Sequence, residues 1–336
     1  MKVLFDFHLP FAFAHGGLQI QIEQTKAGLD AIGIETDFLR WWDDQQRADI
    51  VHFFGRPHPC YSELAKKRGF RVVLSDLLSA QGSRPPWMHL AHGLVLRTLE
   101  TLLPHSFSLG LTSQSYRYVD AAIANTPWEA SLMQKMYGAD PKKVFVAPNG
   151  VEQVFFQQKP YSSRGEWLVC TATITERKRV LELAEAAVKA QTPVWILGKP
   201  YSEAEEYFRR FKELAARHPK LIRYEGAVSD RTALAQIYGQ ARGFVLLSTM
   251  ETRSLSSEEA AATGCPLLLS DLPWARSTFG DHARYIPITR AEETAAHLRR
   301  FYDEATSLAA PPPPMTWPQV AEVFRSVYDK VLRGET

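Results

Sequence analysis

Two glutamates with seven residues between them are the side chains best suited to chemistry. Glu251 and Glu259 lie in the stretch METRSLSSEEAAATGCP, shortly after the apolar run GFVLLS, which ends at Ser248. Ionised carboxylates accept hydrogen bonds from hydroxyl groups, so this pair could bind a sugar ring and a ribose. The amides between them and the start of the next helix could hold anionic or hydroxyl groups. Those amides belong to Thr252, Arg253, Ser254 and Leu255.

A purely structural explanation of the same residues stays open. Ser256 and Glu259 have the S-x-x-E spacing of a capping box, in which the glutamate binds the backbone at the start of a helix. On that interpretation Glu251 is a solvated loop residue. The spacing alone does not choose between the two.

A run of three cations follows the apolar segment WLVCTAT, where the helix VLELAEAAVKA should begin: Arg177, Lys178 and Arg179. Positive side chains oppose the dipole at a helix N-terminus, so their presence predicts an anion beside them. A diphosphate would suit lysine as a point charge and arginine as a planar fork. The alternative is a solvated basic turn.

A glycine pair, Gly16 and Gly17, follows the first apolar run and precedes the helical segment LQIQIEQTKAGLDAIG. Glycines let the backbone approach a phosphate at a helix start, although a tight turn explains them equally well. The dinucleotide pattern G-x-G-x-x-G is absent, which disfavours a nicotinamide or flavin enzyme. D-x-D, H-E-x-x-H and the Walker pattern are also absent, so we expect neither a metal site nor a cofactor.

The elements that would position these residues alternate along the chain. Ten short apolar runs, with little polar alternation, are typical of buried parallel strands. They are KVLFDF, DIVHFF, FRVVLS, AAIAN, VFVAP, WLVCTAT, PVWILG, LIRYEG, GFVLLS and PLLLS. Helix caps are predicted between and after them at Thr126 (with Gly138 ending that helix), Ser229, Thr289 and Thr316. Repeated β-α units predict a doubly wound α/β architecture.

A polar stretch from 152 to 165 and the prolines 311–314 divide the chain. We therefore predict an N-terminal Rossmann-like domain over 1–155 and a C-terminal one over 156–310. Residues 311–336 should form a proline-rich turn and a closing helix that packs towards the first domain. A ligand cleft is expected between the domains.

Composition limits the classes of protein and partner. The chain has 336 residues, of which 45% are hydrophobic and 23% charged. Its net charge is +2, so we expect no strong electrostatic attraction to nucleic acids. Its three cysteines are far apart, which favours a reducing, cytoplasmic setting. The N-terminus begins directly with a strand and has no signal-peptide pattern. The apolar segment 87–109 could lie on a membrane face, but a core helix is favoured.

Taken in order and spacing, these motifs resemble glycosyltransferase family 4, the retaining enzymes of GT-B fold, over nearly the whole chain. The segment VAPNGVEQVF resembles the hinge of that family, and TATITERKRVLELAEAA resembles its phosphate-binding turn. The stretch from YEGAVSD to SDLP resembles its signature block, E-x7-E followed by A…G-x-P. The segment opening at Thr316 is similar to its crossover helix.

The resemblance implies a role for each matching residue. Glu259 would bind the donor ribose, and Glu251 would contact the transferred sugar near its anomeric carbon. Lys178 would bind the diphosphate, with Gly16 and Gly17 beside the phosphates. The backbone of Gly226 to Val228 would meet the nucleobase. Catalysis is thus expected from Glu251 and Lys178, with Arg177 assisting in donor binding.

The sequence also departs from the family pattern. The usual phosphate arginine is Thr173 here, and the usual Gly-Phe-Gly reads Thr252, Arg253 and Ser254. Ser75 or Asp76 stands where a histidine is common. These departures motivate a second hypothesis, a degenerate relative that binds a nucleotide sugar or a partner without transfer. A nicotinamide oxidoreductase is a third. The donor base, the acceptor and the oligomeric state are not readable from the sequence.

Overall fold

The chain forms two compact units in a computed structural model, which describes residues 1–8, 10–11, 17–84, 86–103, 114–157, 164–288 and 291–336. The first unit contains residues 1–150 and 315–336, and the second contains 151–314. The chain thus enters the second unit after Gly150 and returns to the first after Pro314. The C-terminal helix belongs to the first unit.

The first unit contains a six-stranded parallel sheet with the order β2-β1-β3-β4-β5-β6. Its strands are β1 (Lys2–Phe7), β2 (Glu35–Phe38), β3 (Ile50–Phe54), β4 (Arg71–Ser75), β5 (Ala121–Ala124) and β6 (Val144–Val146). Five of them coincide with predicted apolar runs. Strand β2 was not predicted from the sequence, because ETDF is short and polar. It lies at the edge of the sheet and pairs with β1 only.

Helices flank this sheet. They are α1 (Gly17–Ala31), α2 (Pro59–Lys67), α3 (Ser79–Gly82), α4 (Pro86–Leu102), α5 (Ser115–Tyr118), α6 (Pro127–Tyr137) and, at the C-terminus, α14 (Trp317–Arg333). A short 3-10 helix covers Pro141–Lys143. The predicted caps of α6 are confirmed: the Thr126 side chain accepts from the Glu129 amide, and Gly138 ends the helix with a left-handed φ of 66°.

The closing helix α14 is held in the first unit by close contacts. Thr316 and Gln319 form a reciprocal capping box, as the predicted cap at Thr316 requires. A Cβ on Gly150 would lie 2.6 Å from the Trp317 backbone, so only glycine fits there. The buried His52 hydrogen-bonds to Tyr328 on α14 at 2.7 Å and to Ser75 on β4 at 2.8 Å. Burial lowers the pKa of His52 to about 3, so it is a neutral structural residue.

The second unit has its own six-stranded parallel sheet, with the order β12-β11-β10-β7-β8-β9. Its strands are β7 (Leu168–Thr171), β8 (Val194–Leu197), β9 (Ile222–Tyr224), β10 (Gly243–Leu246), β11 (Leu267–Ser270) and β12 (Arg284–Ile286). The sequence analysis did not predict β12, whose three residues RYI are too short and too polar to stand out.

The helices of this unit are α7 (Gln153–Phe156), α8 (Val180–Ala190), α9 (Glu206–Arg217), α10 (Arg231–Gln240), α11 (Leu255–Ala262), α12 (Pro273–Phe279) and α13 (Ala291–Glu304). Three 3-10 turns cover Glu176–Lys178, Gly280–His282 and Ala305–Ser307. Two parallel sheets with flanking helices make this an α/β protein of the doubly wound kind.

Two details differ from the sequence-based predictions, and a third prediction is not tested. The cap of α10 is Asp230 rather than Ser229, because the Asp230 carboxylate accepts from the amides of the first helical turn. The polar stretch predicted as a linker contains α7, whose Phe155 is fully buried in the core of the second unit. The predicted cap Thr289 lies outside the described residues.

Candidate functional site

The second sheet reverses its strand order between β7 and β10. These two strands are hydrogen-bonded neighbours, while the chain continues from β7 to β8 on one side and from β10 to β11 on the other. Ligands of open α/β sheets bind at such a switch point, beyond the carboxyl ends of the strands. The segments that leave these ends are the basic turn after β7 and the Glu251 loop after β10.

The basic turn and the Glu251 loop are joined by backbone hydrogen bonds. The carbonyl of Arg177 accepts from the Thr249 amide at 2.9 Å, and the Arg177 guanidinium donates to the Met250 carbonyl at 2.7 Å. Arg179 stands at φ 53°, in the left-handed region, where the 3-10 turn ends and α8 begins. These contacts hold Arg177 and Lys178 beside the loop that carries Glu251.

The two predicted catalytic side chains meet each other. Lys178 donates a hydrogen bond from Nζ to Oε1 of Glu251, and Arg177 Nη1 lies 3.3 Å from the same oxygen. The side chains of Lys178 and Glu251 are 14% and 11% exposed. The anion beside the cations is therefore the Glu251 carboxylate in this structure, and Glu251 is not a solvated loop residue.

The capping explanation of Glu259 is wrong. Ser254, not Ser256, caps α11, because its side chain accepts from the Ser257 amide and the helix begins at Leu255. Glu259 lies deeper in the helix and forms an ion pair with Arg231. Burial raises the pKa of the Glu259 carboxyl to about 7, although Arg231 opposes the shift.

One buried acid at this site was missed. Glu258 is fully buried on α11, and Arg253 donates to its Oε1 from Nε at 2.6 Å and forms an ion pair with it. Arg253 was predicted to bind the donor through its backbone amide, and its side chain pairs with Glu258. The sequence signal for this second acid was the doublet Glu258–Glu259. Adjacent residues of a helix point in different directions, so two acids in a row must have different surroundings, and the structure shows that both are buried.

The remaining predicted residues are divided between the two units. Gly226 (φ 85°) and the half-buried Val228 follow β9 in the second unit, where the Gly226 carbonyl accepts from the Gly198 amide at 2.9 Å. Thr252 and Leu255 are half-buried beside Glu251 and at the start of α11. Gly17 begins α1 in the first unit, and Gly16 lies outside the described residues.

The first unit carries an acid near the position predicted for a histidine. Asp76 directly follows β4, is buried, and accepts hydrogen bonds from Tyr116. Its carboxylate also lies 3.0 Å from Nε of Arg56, which follows β3. Ser75 hydrogen-bonds to His52, so of the two residues named for this position Asp76 is the one that carries charge.

Comparisons with known families identify the class. Residues 32–153 match the model described as Glycosyltransferase Family 4, and residues 165–304 match the one described as Glycosyl transferases group 1. Two parallel α/β units with these matches define a glycosyltransferase of GT-B fold. The chain belongs to glycosyltransferase family 4.

Solved structures share the fold at low identity. A glycosyltransferase from Rickettsia africae is 15% identical, with a TM-score of 0.66 and 99% of each chain covered. HepE from Anabaena in complex with UDP is 13% identical, with a TM-score of 0.66 over 100% of this chain and 97% of the other. Sucrose-phosphate synthase from Thermosynechococcus elongatus is 15% identical, with a TM-score of 0.69 over 99% and 100%. Among curated proteins no match is found.

Proposed function

We propose that this glycosyltransferase is a retaining enzyme, which moves a hexose-type sugar from a nucleotide-diphosphate sugar to an acceptor hydroxyl without a metal ion. The acceptor class stays open among glycans, lipid-linked sugars and small molecules. The observation that carries the proposal is the meeting of Lys178, Arg177 and Glu251 at the switch point of the second sheet. The cations could bind a diphosphate, and the carboxylate beside them could accept hydrogen bonds from sugar hydroxyls. A sugar diphosphate carries these two groups next to each other, and such ligands bind at the switch point of an α/β sheet.

The donor would lie along the carboxyl edge of the second sheet. Its diphosphate would replace Glu251 as the partner of Lys178 and Arg177, and Glu251 would turn to the sugar. Glu259 would bind the ribose, and the backbone of Gly226 to Val228 would meet the base. HepE and the pneumococcal O-GlcNAc transferase GtfA, which share the fold, have been solved with UDP, which supports a nucleotide-bound donor.

The chemistry needs no strong enzymic base. The acceptor oxygen forms a bond to the anomeric carbon on the face from which the diphosphate leaves, and the bond from that carbon to the phosphate oxygen breaks. The electron pair goes to the phosphate oxygen, which also takes the proton of the acceptor hydroxyl. Lys178 and Arg177 would stabilise this developing charge, which is why neither a metal nor a cofactor is part of the proposal.

A catalytically degenerate protein is the second candidate. It is favoured by Thr173 in place of the usual phosphate arginine, and by the Arg253 side chain, which is engaged by Glu258 within the donor loop. Such a protein would bind the nucleotide sugar or a partner and transfer nothing.

One experiment separates these candidates. The protein would be incubated with UDP-, GDP-, ADP- and dTDP-glucose in EDTA or magnesium, with Glu251→Ala as the control. With water as the acceptor, we expect hydrolysis of the donor with one base above the control, equal in EDTA and magnesium. NMR of the glucose as it is released, before it mutarotates, should show the donor's anomeric configuration. Binding without consumption would favour the degenerate protein. An inverted product would overturn the retaining mechanism, and dependence on magnesium would overturn metal independence.

Helix α4 carries an apolar face that points outward. Six large apolar side chains are exposed on it: Trp87 67%, Leu90 72%, Leu94 68%, Val95 55%, Leu99 38% and Leu102 76%. The opposite side, at Gly93, packs closely on α6, because a Cβ added there would lie 3.2 Å from the Lys135 carbonyl oxygen. Within the described part of the chain, no helix is long and apolar enough to cross a membrane. This face is therefore suited to lie on a membrane surface and not to span the bilayer.

We propose that this face docks on the anionic inner surface of a membrane, which places the enzyme at the cytoplasmic side. Exposed charge on the described helix is positive: Arg97 is exposed, whereas the Glu100 side chain is 11% exposed and pairs with Arg117 at 2.9 Å. Three free cysteines suit a reducing compartment. The apolar face would supply most of the binding, and anionic lipids would attract the exposed Arg97.

Flotation with vesicles tests this contact. Wild-type protein should float with phosphatidylglycerol vesicles more than with phosphatidylcholine vesicles, and a Leu90→Glu/Leu94→Glu variant should stay behind. Leu64→Glu is the matched control, because Leu64 is 62% exposed on α2 and lies outside the α4 face. Equal flotation of the double variant, or a wild-type dimer that the double variant dissociates, would overturn the membrane proposal.

A further inference from the structure

Arg231, the first residue of α10, lies between two carboxylates. Its Nη2 donates to Oε1 of Glu259 on α11, and its Nε donates to Oε2 of Glu152, just before α7. Its guanidinium carbon lies 4.8 Å above the ring centre of Phe155, which is itself fully buried. Two ion pairs and one stacking contact fix the position of the guanidinium and the orientation of its plane.

The geometry leaves half of the Glu259 carboxylate available. Oε1 accepts from Arg231, whereas Oε2 accepts no hydrogen bond from the described residues. A carboxylate oxygen can accept two hydrogen bonds, so the group retains capacity for the two hydroxyls of a ribose. The second carboxylate, Glu152, keeps Arg231 in place while Glu259 also accepts hydrogen bonds from the ribose hydroxyls.

We propose that Arg231, anchored by Glu152, is the positioning residue that holds Glu259 ready for the ribose diol of the nucleotide. The inference rests on the proposed donor site and adds two residues that neither the sequence motifs nor the family matches assign. Arg231 itself does not touch the sugar in this account. It acts by fixing the direction and the charge of Glu259.

The need for such a residue follows from the surroundings of Glu259. Burial raises the pKa of this carboxyl to about 7, Arg231 opposes the shift, and Glu152 and Glu258 add to it. The elements packed on α11 are α7, α10, β10 and β11, and the other titratable group on them that faces Glu259 is Tyr238 of α10. Without Arg231 the remaining acids would favour the protonated form at neutral pH. A protonated carboxyl loses acceptor capacity towards the diol.

The test compares ribose and deoxyribose ligands. Dissociation constants would be measured for UDP, GDP, ADP and CDP and for their 2′-deoxy counterparts, between pH 6 and pH 9. The variants are Arg231→Met, Arg231→Lys and Glu152→Gln. Arg242→Met is the matched control, because Arg242 also stacks on an aromatic ring, at 4.1 Å from the centre of the Tyr302 ring, but lies at the amino end of β10.

We expect Arg231→Met to weaken ribonucleotide binding about tenfold at pH 7, with a much smaller loss for the deoxy ligand. The ratio of the two affinities should recover as pH rises, and the midpoint of that recovery should be higher than in wild type. Arg231→Lys should be intermediate, Glu152→Gln should lose less, and Arg242→Met should match wild type. Because each ligand pair shares its phosphate titration, the ratio reports the ribose contact.

The outcomes separate the proposal from the donor site on which it rests. If wild type binds no nucleotide, the proposed donor site itself is overturned. If wild type binds but Arg231→Met loses ribo and deoxy ligands equally, Arg231 is a structural residue and the positioning role is overturned. Tighter ribonucleotide binding by Arg231→Met would show that the guanidinium occupies the ribose position and competes with it.

Discussion

Lys178 and Glu251, 73 residues apart in the sequence, form an ion pair where the segments following β7 and β10 meet. The two residues proposed to act on the phosphate and on the sugar therefore neutralise each other in this structure. In the proposed mechanism, the negative charge of a diphosphate would replace Glu251 as the partner of Lys178. Donor binding would then free the carboxylate that is proposed to contact the sugar.

Replacing Lys178 tests its role in stabilising the leaving phosphate. Lys178→Ala should lower kcat/KM for sugar transfer roughly 100- to 1000-fold, the loss typical of one removed oxyanion donor. The measurement is a steady-state rate with the preferred nucleotide sugar. Lys189→Ala serves as the control, because Lys189 forms an exposed ion pair with Glu292 on the far end of α8. A Lys178→Ala enzyme with the wild-type rate would remove this residue from the mechanism.

Glu251→Gln should separate nucleotide binding from transfer. Removing the carboxylate charge leaves Lys178 and Arg177 without this competing anion, so the nucleoside diphosphate without its sugar should bind a few times more tightly at low salt. Transfer should nevertheless fall, because the sugar loses an ionised acceptor. Calorimetry and rate measurements on the same preparation check both. Parallel loss of binding and transfer would contradict the competition between Glu251 and the diphosphate.

The Arg253–Glu258 pair should be a structural unit. Burial raises the pKa of Glu258 and Arg253 lowers it. Arg253→Met leaves an uncompensated buried acid and should destabilise the second unit by about 3 kcal/mol. The double variant Arg253→Met/Glu258→Met removes both charges and should be more stable than the single one in urea unfolding. A double variant less stable than Arg253→Met would show that the two residues do not act as a buried pair.

Glu129, on α6, should make stability depend on pH. Burial raises the pKa of this carboxyl to about 7 from the ordinary 4.5, while its oxygen accepts from the Leu78 amide at 2.8 Å. The folded state therefore binds the proton more tightly than the unfolded state. The stability that this provides is present below about pH 4.5 and is lost as pH rises to about 7.

Glu129→Gln should remove that pH dependence and keep the acceptor for Leu78. Relative to wild type, the variant should gain roughly 3 kcal/mol between pH 4.5 and pH 8, measured as the difference in unfolding free energy. Glu322→Gln, an exposed site on α14, is the reference substitution. If the unfolding free energies of wild type and Glu129→Gln change in parallel across this pH range, Glu129 is ionised in the folded state at neutral pH.

Much of the fold could be predicted because buried parallel strands are locally distinctive. Ten apolar runs marked ten strands, and Thr126 and Thr316 marked helix starts through their own side chains. The strands β2 and β12 were not predicted because ETDF and RYI are short and lack an apolar run, whereas the edge strands β6 and β9 lie in apolar runs and were predicted. The caps of α10 and α11 were displaced by one and two residues because several neighbouring polar side chains could each accept the same amides.

The outward face of α4 was also misjudged. Its apolar spacing is the same whether the face is buried or exposed, so a core helix was favoured. Only the packing of Gly93 on α6 shows which side turns inward. Periodicity defines the width of an apolar face, and the neighbours decide where it points.

By itself, the sequence determined the α/β class, the alternation of elements and the residue types at the proposed donor site: Lys178, Glu251 and Glu259. These follow from short-range patterns, because strand burial, helix capping and motif spacing are read within one segment. Tertiary structure alone decided their partners. Arg177 and Lys178 meet Glu251, and Arg231 meets Glu259 and Glu152. The long-range pairs depend on which strand ends and helices become neighbours in the sheet, and no local spacing contains that information.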